Sequence, residues 1–479
     1  MNFNLDDNWQ QRINTVQQTL SVELQGRISG VTGLTVEVSE FAAPVGAQCV
    51  ITTRIGKNIP AELIGFRDEV SILMPLADMV GISNGDRVIC HSAQPAIQVG
   101  PHLLGRVING YGEPIDDKGP LLCQTSRSVS NEPLKAMHRI RIDTPIGTGI
   151  RALDAMMTCG RGQRMGIFSG PGVGKSVLLG MIARYTSADV NVISLVGERG
   201  REVREFIEKD LGPEGLARSV VVVSISDEPA PIRVRASFVA TTIAEYFRDM
   251  GKNVLLLMDS VTRVAMAQRQ IGLAMGEPPA TKGYTPSVFA ILPRLLERSG
   301  RSAHGSITGF YTVLVEGDDL SEPIADAMRG ILDGHLWLSR DLANRGHYPA
   351  IDILESISRV MSDIADDEHL RAAREIIRLT AIYRDIEDLV NIGAYAPGTN
   401  PDFDLAVKMR PSINAFLQQP VQQGVSLTQA LQSLRELELA SHENDAQDKV
   451  TDPLPKNENP PRPENKNSFA PLNQSRVQV

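Results

Sequence analysis

The strongest constraint on the fold of this chain is a glycine-rich run that joins two apolar segments. Residues 165–168 before the run have the composition of a buried strand, and residues 177–183 after it have that of a helix. A strand, a glycine-rich loop and a helix in this order form a phosphate-binding loop, or P-loop. The run consists of Ser169, Gly170, Pro171, Gly172, Val173, Gly174, Lys175 and Ser176.

The residue types of this loop suit a phosphorylated ligand. Glycine lets backbone N–H groups approach phosphate oxygens, and the helix that opens with Val177 adds the positive end of its dipole. We expect Lys175 to reach the β- and γ-phosphates and the hydroxyl of Ser176 to bind Mg²⁺. Ser169 departs from the strict pattern, which has glycine there, and a glycine-rich surface turn is the alternative interpretation.

A second apolar run supplies a carboxylate that suits the same site. Residues 253–258 read as a buried parallel strand, and Asp259 follows at its carboxyl end. This arrangement predicts the acid that holds Mg²⁺ from the side opposite Ser176. The alternative is a core strand whose terminal aspartate caps a helix.

A third strand ends at a glutamate between these two motifs. The strand at residues 192–196 breaks at Gly197, which places Glu198 at the strand tip, where ligands of parallel sheets bind. A carboxylate there can polarise an attacking water. The charged residues that follow, from 199 to 205, are interpreted as a solvated helix face with internal ion pairs.

Arg359 lies far downstream on a polar turn. An isolated arginine in such a turn is ordinarily a surface residue, and this one need not serve the nucleotide of its own chain.

Several further motifs together carry a resemblance to a known family. They are Gly-Glu-Arg-Gly-Arg-Glu-Val at 197–203, Asp-Ser-Val-Thr-Arg at 259–263, Gly-Glu-Pro-Pro-Ala-Thr-Lys-Gly-Tyr at 276–284, Tyr-Thr-Val-Leu-Val-Glu-Gly-Asp-Asp at 311–319 and Gly-His-Tyr-Pro-Ala-Ile-Asp at 346–352. With them the chain resembles the type III export ATPases, relatives of the catalytic subunit of rotary ATP synthase, over roughly residues 25–435. The segments 161–166 and 276–284 resemble the flagellar branch more than the virulence-injectisome branch.

The resemblance implies a homohexamer that binds nucleotide between its subunits. Glu198 matches the catalytic carboxylate, and Arg359 matches the arginine finger that enters a neighbour's site. Tyr348 matches the aromatic residue that packs on adenine, and Arg263 matches a basic residue near the γ-phosphate. Ser169 and Gln270 depart from what is usual in relatives, but neither change removes a phosphate or metal ligand.

Hydrophobic periodicity predicts an α/β fold with a RecA-like P-loop core and a parallel sheet. A small β-barrel precedes this core, and a helical C-terminal domain follows it. The predicted divisions are an amphipathic helix at 1–24, the barrel at 25–93, the P-loop domain at 94–362, the helical domain at 363–440 and a disordered tail at 441–479.

Composition limits the partners and the compartment. The net charge of −9 over 479 residues disfavours general nucleic-acid binding, although a barrel beside a P-loop core also occurs in RNA-translocating hexamers. The four cysteines show no metal-type spacing and read as reduced cytosolic thiols. No stretch has the length of a membrane span and no signal peptide is present, so we expect a cytoplasmic protein that a partner brings to the membrane.

The leading hypothesis is a Mg²⁺-dependent hexameric ATPase that energises flagellar type III export by releasing and unfolding cargo at a membrane gate. The resemblance implies a regulatory or stator subunit bound at the N-terminal helix, a central stalk protein and chaperone–cargo complexes as partners. The N-terminal helix could instead pack on its own domain. The alternatives are a virulence-secretion ATPase, a non-catalytic ring subunit, which Glu198 disfavours, and a nucleic-acid translocase, which the charge disfavours.

Overall fold

The structure is a computed structural model that describes residues 23–315, 317, 319 and 321–450, with the backbone alone for 444–450. The predicted N-terminal helix lies outside the described residues except for its last two positions, as do residues 451–479 of the predicted tail.

The N-terminal part is a closed barrel in the strand order β1-β2-β5-β4-β3-β6. Alternate residues such as Ile28, Ile51 and Leu63 point inward and are fully buried, because side chains of a strand alternate between its two faces. The predicted barrel is thereby confirmed. Its strands are β1 Gln25–Thr32, β2 Thr35–Ser39, β3 Gln48–Thr52, β4 Asn58–Arg67, β5 Val70–Pro75 and β6 Arg87–Ser92.

The remaining strands form one large sheet and two short pairs, β7 with β9 and β10 with β11. These strands are β7 Ala96–Val99, β8 Arg106–Asn109, β9 Thr125–Ser128, β10 Pro145–Ile146, β11 Cys159–Gly160, β12 Arg164–Ser169, β13 Val190–Glu198, β14 Ser219–Ile225, β15 Asn253–Asp259, β16 Gly300–Arg301, β17 Ser306–Leu314, β18 Gly334–Leu338 and β19 Ile351–Ser358.

The large sheet has nine strands in the order β19-β18-β12-β17-β15-β13-β14-β8, with β16 beside β17. The strands from β18 to β8 along this order are parallel, so they all end at one edge, which we call the carboxyl edge. Strand β19 is antiparallel to β18: Ile351 pairs with Leu338 at the carboxyl edge, and Ser358 pairs with Gly334 at the other edge, the amino edge.

Helices cover both faces of this sheet, as an all-parallel core requires. Strand β13 shows the two-sided burial, because Ile193 and Leu195 belong to one hydrophobic cluster, and Val192 and Val196 to the other. The helices of this region are Arg151–Met156, Lys175–Tyr185, Gly200–Glu205, Gly212–Ala217, Ala230–Asp249, Val261–Ala274, Pro286–Leu296, Pro323–Ile331 and Arg340–Asn344.

Helices after β19 complete the described chain and share a core with the P-loop half of the sheet. Ile376 and Met409 lie in the same hydrophobic cluster as Met181 of the P-loop helix. These helices are Met361–Ile364, Asp367–Asn391, Pro401–Leu417 and Leu427–Val450. Within the described ranges, none of the helices is both long enough and apolar enough to span a bilayer.

The last helix corrects one predicted boundary. We predicted disorder from residue 441, but the helix that begins at Leu427 continues to Val450. The physical reason is local, since residues 441–450 include good helix formers and contain neither glycine nor proline before Pro453.

Candidate active site

The P-loop lies at the carboxyl edge between β12 and the helix Lys175–Tyr185. Gly174 takes the left-handed conformation, with φ 89° and ψ 19°, directly before Lys175. This conformation is accessible to glycine at little cost. No side chain caps the helix, so its first N–H groups are free to bind an anion.

Lys175 lies between two carboxylates that come from neighbouring parts of the sheet. Its ammonium donates a hydrogen bond to Oδ1 of Asp259, and its Nζ is 3.7 Å from Oε1 of Glu198. Burial lowers the pKa of Lys175, but the two carboxylates outweigh burial and hold that pKa above its usual value. The three side chains that the sequence predicted as one site are therefore in contact.

Glu198 lies at the end of β13 in a partly enclosed position. Burial raises the pKa of its carboxyl to about 7, and the negative charge of Asp259 contributes to this rise. Lys175 and Arg263 act in the opposite direction. A carboxylate with a pKa near neutrality is suited to accept or share the proton of a water molecule.

Arg263 lies in the first turn of the helix Val261–Ala274, which begins immediately after Asp259 and Ser260. Its side chain packs on the backbone before Glu198, since a Cβ at Gly197 would lie 2.9 Å from Cβ of Arg263. Its Nε is buried and has no hydrogen-bond partner among the described residues. The guanidinium thus retains a donor for a ligand at the carboxyl edge.

The donors present fit Mg²⁺ bound mainly through phosphate and water. The side chain of Asp259 is nearly buried, and Thr312 donates to its Oδ1 over 2.8 Å. Ser176 is exposed at the start of the P-loop helix. The described residues contain no cluster of three His, Cys, Asp or Glu residues placed to hold a metal by themselves. One hydroxyl and one carboxylate are typical of Mg²⁺ sites that the substrate completes.

An apolar cavity of about 370 Å³ adjoins the P-loop. Tyr348 lies at its mouth, where a Cβ at Gly174 would be 3.4 Å from Cε1 of the ring. Flat apolar walls of this kind suit a heterocyclic base. The other lining residues include Val173, Val177, Met181, Leu338, Pro349 and Val421.

Arg359 does not join this site within one chain. It follows the last residue of β19 at the amino edge, and it is exposed. Its backbone N–H donates to the carbonyl of Asp333 over 3.0 Å, and its Nη2 donates to the carbonyl of Arg329 over 3.2 Å. The length of β12 separates the two edges by roughly 17 Å.

Several residues of the site, among them Thr312, Gln419 and Val421, were not singled out from the sequence. Thr312 lies on β17, between β12 and β15, and its position in a matched motif was the available signal. Gln419 and Val421 line the base cavity from beyond the helix Pro401–Leu417. No local pattern indicates a contact across so long a separation in sequence.

Two family models match the chain in consecutive segments. Residues 149–358 match the nucleotide-binding domain of the ATP synthase alpha/beta family. Residues 365–436 match the C-terminal domain of the type III secretion ATPase EscN. The first segment contains the P-loop, Glu198, Asp259 and Tyr348.

Characterised relatives cover most of this chain. The "Flagellum-specific ATP synthase" of Bacillus subtilis is 52% identical over 89% of this chain and 98% of its own length. The "Type 3 secretion system ATPase" of Xanthomonas euvesicatoria is 51% identical over 83% of this chain and 90% of its own length.

A solved structure agrees with these sequence relatives. The assembled ATPase EscN of the enteropathogenic Escherichia coli type III secretion system superimposes with a TM-score of 0.82 at 45% identity, covering 86% of this chain and all of that one. These matches confirm the predicted fold class and enzyme class. The chain belongs to the flagellum-specific ATP synthases, in the type III export branch of the ATP synthase alpha/beta family, and it is an ATPase.

Proposed function

We propose that this chain hydrolyses Mg²⁺-ATP as a homohexameric ring that energises flagellar type III protein export. The triphosphate lies on the P-loop, from Gly170 to Val177, with its base in the cavity beside Tyr348. Lys175 and Arg263 neutralise charge that develops on the γ-phosphate. Glu198 orients and polarises the attacking water from the tip of β13.

Ser176 and Asp259 are the proposed residues that hold Mg²⁺. The ion supplies charge neutralisation on the β- and γ-phosphate oxygens when it is bound. Lys175 donates a hydrogen bond to Asp259, and the phosphates of the nucleotide would offer its ammonium a second set of anionic partners.

The observation that carries this proposal is the separation of Arg359 from Lys175, Glu198 and Asp259 by the full depth of the sheet. Phosphoryl transfer benefits from positive charge over the equatorial oxygens, and an arginine supplied in trans can provide it. A chain that presents an exposed arginine at one edge and an incomplete site at the other is suited to a closed ring, in which each subunit completes the next.

We propose partners by similarity to the solved relatives. EscN has been determined as an assembled ATPase and in complex with its central stalk EscO. For this chain we infer the homohexamer, a stalk protein in its centre, a regulatory or stator subunit at the N-terminal segment, and chaperone–cargo complexes near a membrane export gate. The ring would work in the cytoplasm at the inner face of the inner membrane, without a specific nucleic-acid partner.

A virulence-secretion ATPase is the second candidate, because the Xanthomonas relative is 51% identical to this chain, close to the 52% of the Bacillus flagellar relative. Deletion of the gene in its native host separates the two functions. Loss of swimming with normal effector secretion supports the flagellar role, and the reverse result supports the virulence role.

The central experiment measures ATPase rate per milligram against protein concentration. A site built between subunits requires the specific activity to rise as rings assemble, and light scattering on the same samples locates the assembly range. Lys175→Ala is the matched control for contaminating ATPases. A specific activity that stays constant while the protein passes from monomer to ring would refute the shared site.

A further inference from the structure

Gln419 is a buried amide at the junction between the C-terminal helices and the base cavity. It is 4% exposed, and it follows the helix Pro401–Leu417 by two positions. It lines the cavity opposite the P-loop helix, together with Tyr348 and Val421.

The hydrogen bonds of Gln419 reach three separate segments. Its Nε2 donates to the carbonyl of Gly149 over 2.8 Å and to the carbonyl of Gln423 over 2.6 Å. Its Oε1 accepts from the backbone N–H of Arg151 over 2.8 Å. Its own backbone N–H donates to the carbonyl of Tyr348 over 3.0 Å.

These bonds fix two walls of the base cavity at once. The bond to Tyr348 holds one wall, and the turn closed by the bond to Gln423 carries Val421, the other wall. The carbonyl of Val421 also accepts from Arg184 Nη2 over 2.8 Å and from the Tyr185 hydroxyl over 3.1 Å, at the far end of the P-loop helix. Gln419 therefore contacts both walls in different ways: its side-chain amide joins the turn of Val421 to the segment that precedes the helix Arg151–Met156, and its backbone N–H bonds to Tyr348.

We propose that Gln419 is the positioning residue of the base pocket, through which the C-terminal helices set the affinity for nucleotide. This inference rests on the proposed nucleotide site at the P-loop. Both donor hydrogens and the acceptor of the side-chain amide are used by the protein, so the amide acts through the turn that carries Val421 rather than through a bond to the base.

We expect substitution of Gln419 to weaken the contacts with the base of ATP and to leave the contacts with its phosphates unchanged. Gln419→Ala removes three side-chain hydrogen bonds and leaves the P-loop, Lys175 and Asp259 untouched. We expect KM for ATP to rise about tenfold, which corresponds to about 1.4 kcal/mol, while kcat changes less than about threefold. Gln419→Glu keeps the volume and the acceptor but loses both donors, and we expect a similar rise in KM.

Pyrophosphate distinguishes positioning of the base from general loosening. It can occupy the P-loop but has no base, so its inhibition constant against ATP should stay within about twofold of wild type in both variants. All measurements use the full chain at concentrations where it is assembled. Gln422→Ala is the matched control, because Gln422 is an exposed neighbour in the same turn, and its KM should equal that of wild type.

Three results would overturn the proposal. A normal KM for ATP in both Gln419 variants shows that the amide does not position the pocket. A parallel rise in KM and in the pyrophosphate inhibition constant shows a general structural role. If pyrophosphate does not compete with ATP in wild type, the proposed nucleotide site itself fails, and that result is seen before any Gln419 variant is made.

Discussion

Two charged clusters, one at each edge of the central sheet, differ in how their polar groups are satisfied. At the amino edge, Arg164 makes a bidentate pair with Asp333, with both N–O distances at 2.9 Å, and it also contacts Glu297. At the carboxyl edge, the hydroxyl of Ser169 and Nε of Arg263 are buried without a hydrogen-bond partner among the described residues.

This difference separates a scaffold from a binding site. The partly buried pair of Arg164 and Asp333 holds strands and loops in one arrangement, since each group bonds to the other. Buried donors without partners are costly in the free protein and can be satisfied when a ligand arrives. Arg359 belongs to neither group, because it is exposed beside the paired network and points away from its own P-loop.

The comparison is tested most strongly by Arg359→Ala. If this arginine completes a neighbour's site, its loss should lower kcat by about 10³- to 10⁵-fold. Rings that mix Arg359→Ala with Lys175→Ala subunits should recover part of the rate, because an intact P-loop then meets an intact arginine at some interfaces. Confirmed mixed rings with no recovery would contradict a role in trans.

Glu198→Gln tests the carboxyl edge itself. Glutamine keeps the shape of the side chain but cannot accept a proton, so we expect turnover to fall about 10²- to 10⁴-fold. ATP binding, measured with a fluorescent analogue, should remain within a few-fold of wild type. Turnover close to the wild-type rate would remove Glu198 from the proposed mechanism.

Asp333→Asn tests the scaffold at the amino edge. It leaves Arg164 partly unpaired, and we expect a loss of about 1–3 kcal/mol in the free energy of unfolding, with ATP binding unchanged. Denaturant titration measures the loss. Asp143→Asn is the control, since Asp143 pairs with Arg301 at a site where its side chain is 58% exposed, and the expected effect is close to zero. Equal losses in the two variants would show that the lower exposure of the Arg164–Asp333 pair does not increase its contribution to the free energy of unfolding.

The smallest effect concerns the pH dependence of the free enzyme. The pKa of Glu198 rises from its ordinary value of 4.5 to about 7 on folding, so the folded state favours the protonated form. Its contribution to stability is complete below pH 4.5 and is lost as the pH rises through about 7. Without nucleotide and metal, Glu198→Gln should gain thermal stability over wild type on going from pH 5 to pH 8, by on the order of 2–4 °C. A difference in Tm that does not change with pH would contradict the raised pKa.

Local patterns in the sequence were sufficient to predict the site residues that lie near the carboxyl ends of the parallel strands. Lys175, Glu198 and Asp259 each follow an apolar run, and the ends of parallel strands meet at one edge. Their convergence therefore follows from the fold class, which the comparisons confirm.

Other features depend on contacts that no local pattern records. The direction of β19 decides that Arg359 lies at the amino edge, and a parallel strand would have placed it beside the P-loop. Gln419 bonds to Gly149 across most of the chain. The tail boundary at 440 was wrong for another reason, because low hydrophobicity does not stop a helix that has begun on a packed face.

Strand β19 joins the base pocket of its own subunit to Arg359, the residue that we propose for the neighbouring site. It begins two residues after Pro349 in the base pocket and ends one residue before Arg359, and it bulges in between, because its residues 352–357 lie opposite only residues 335–337 of β18. In the proposed ring, one short segment of each subunit therefore contacts two adjacent nucleotide sites: its own base pocket at one end and its neighbour's phosphate site at the other.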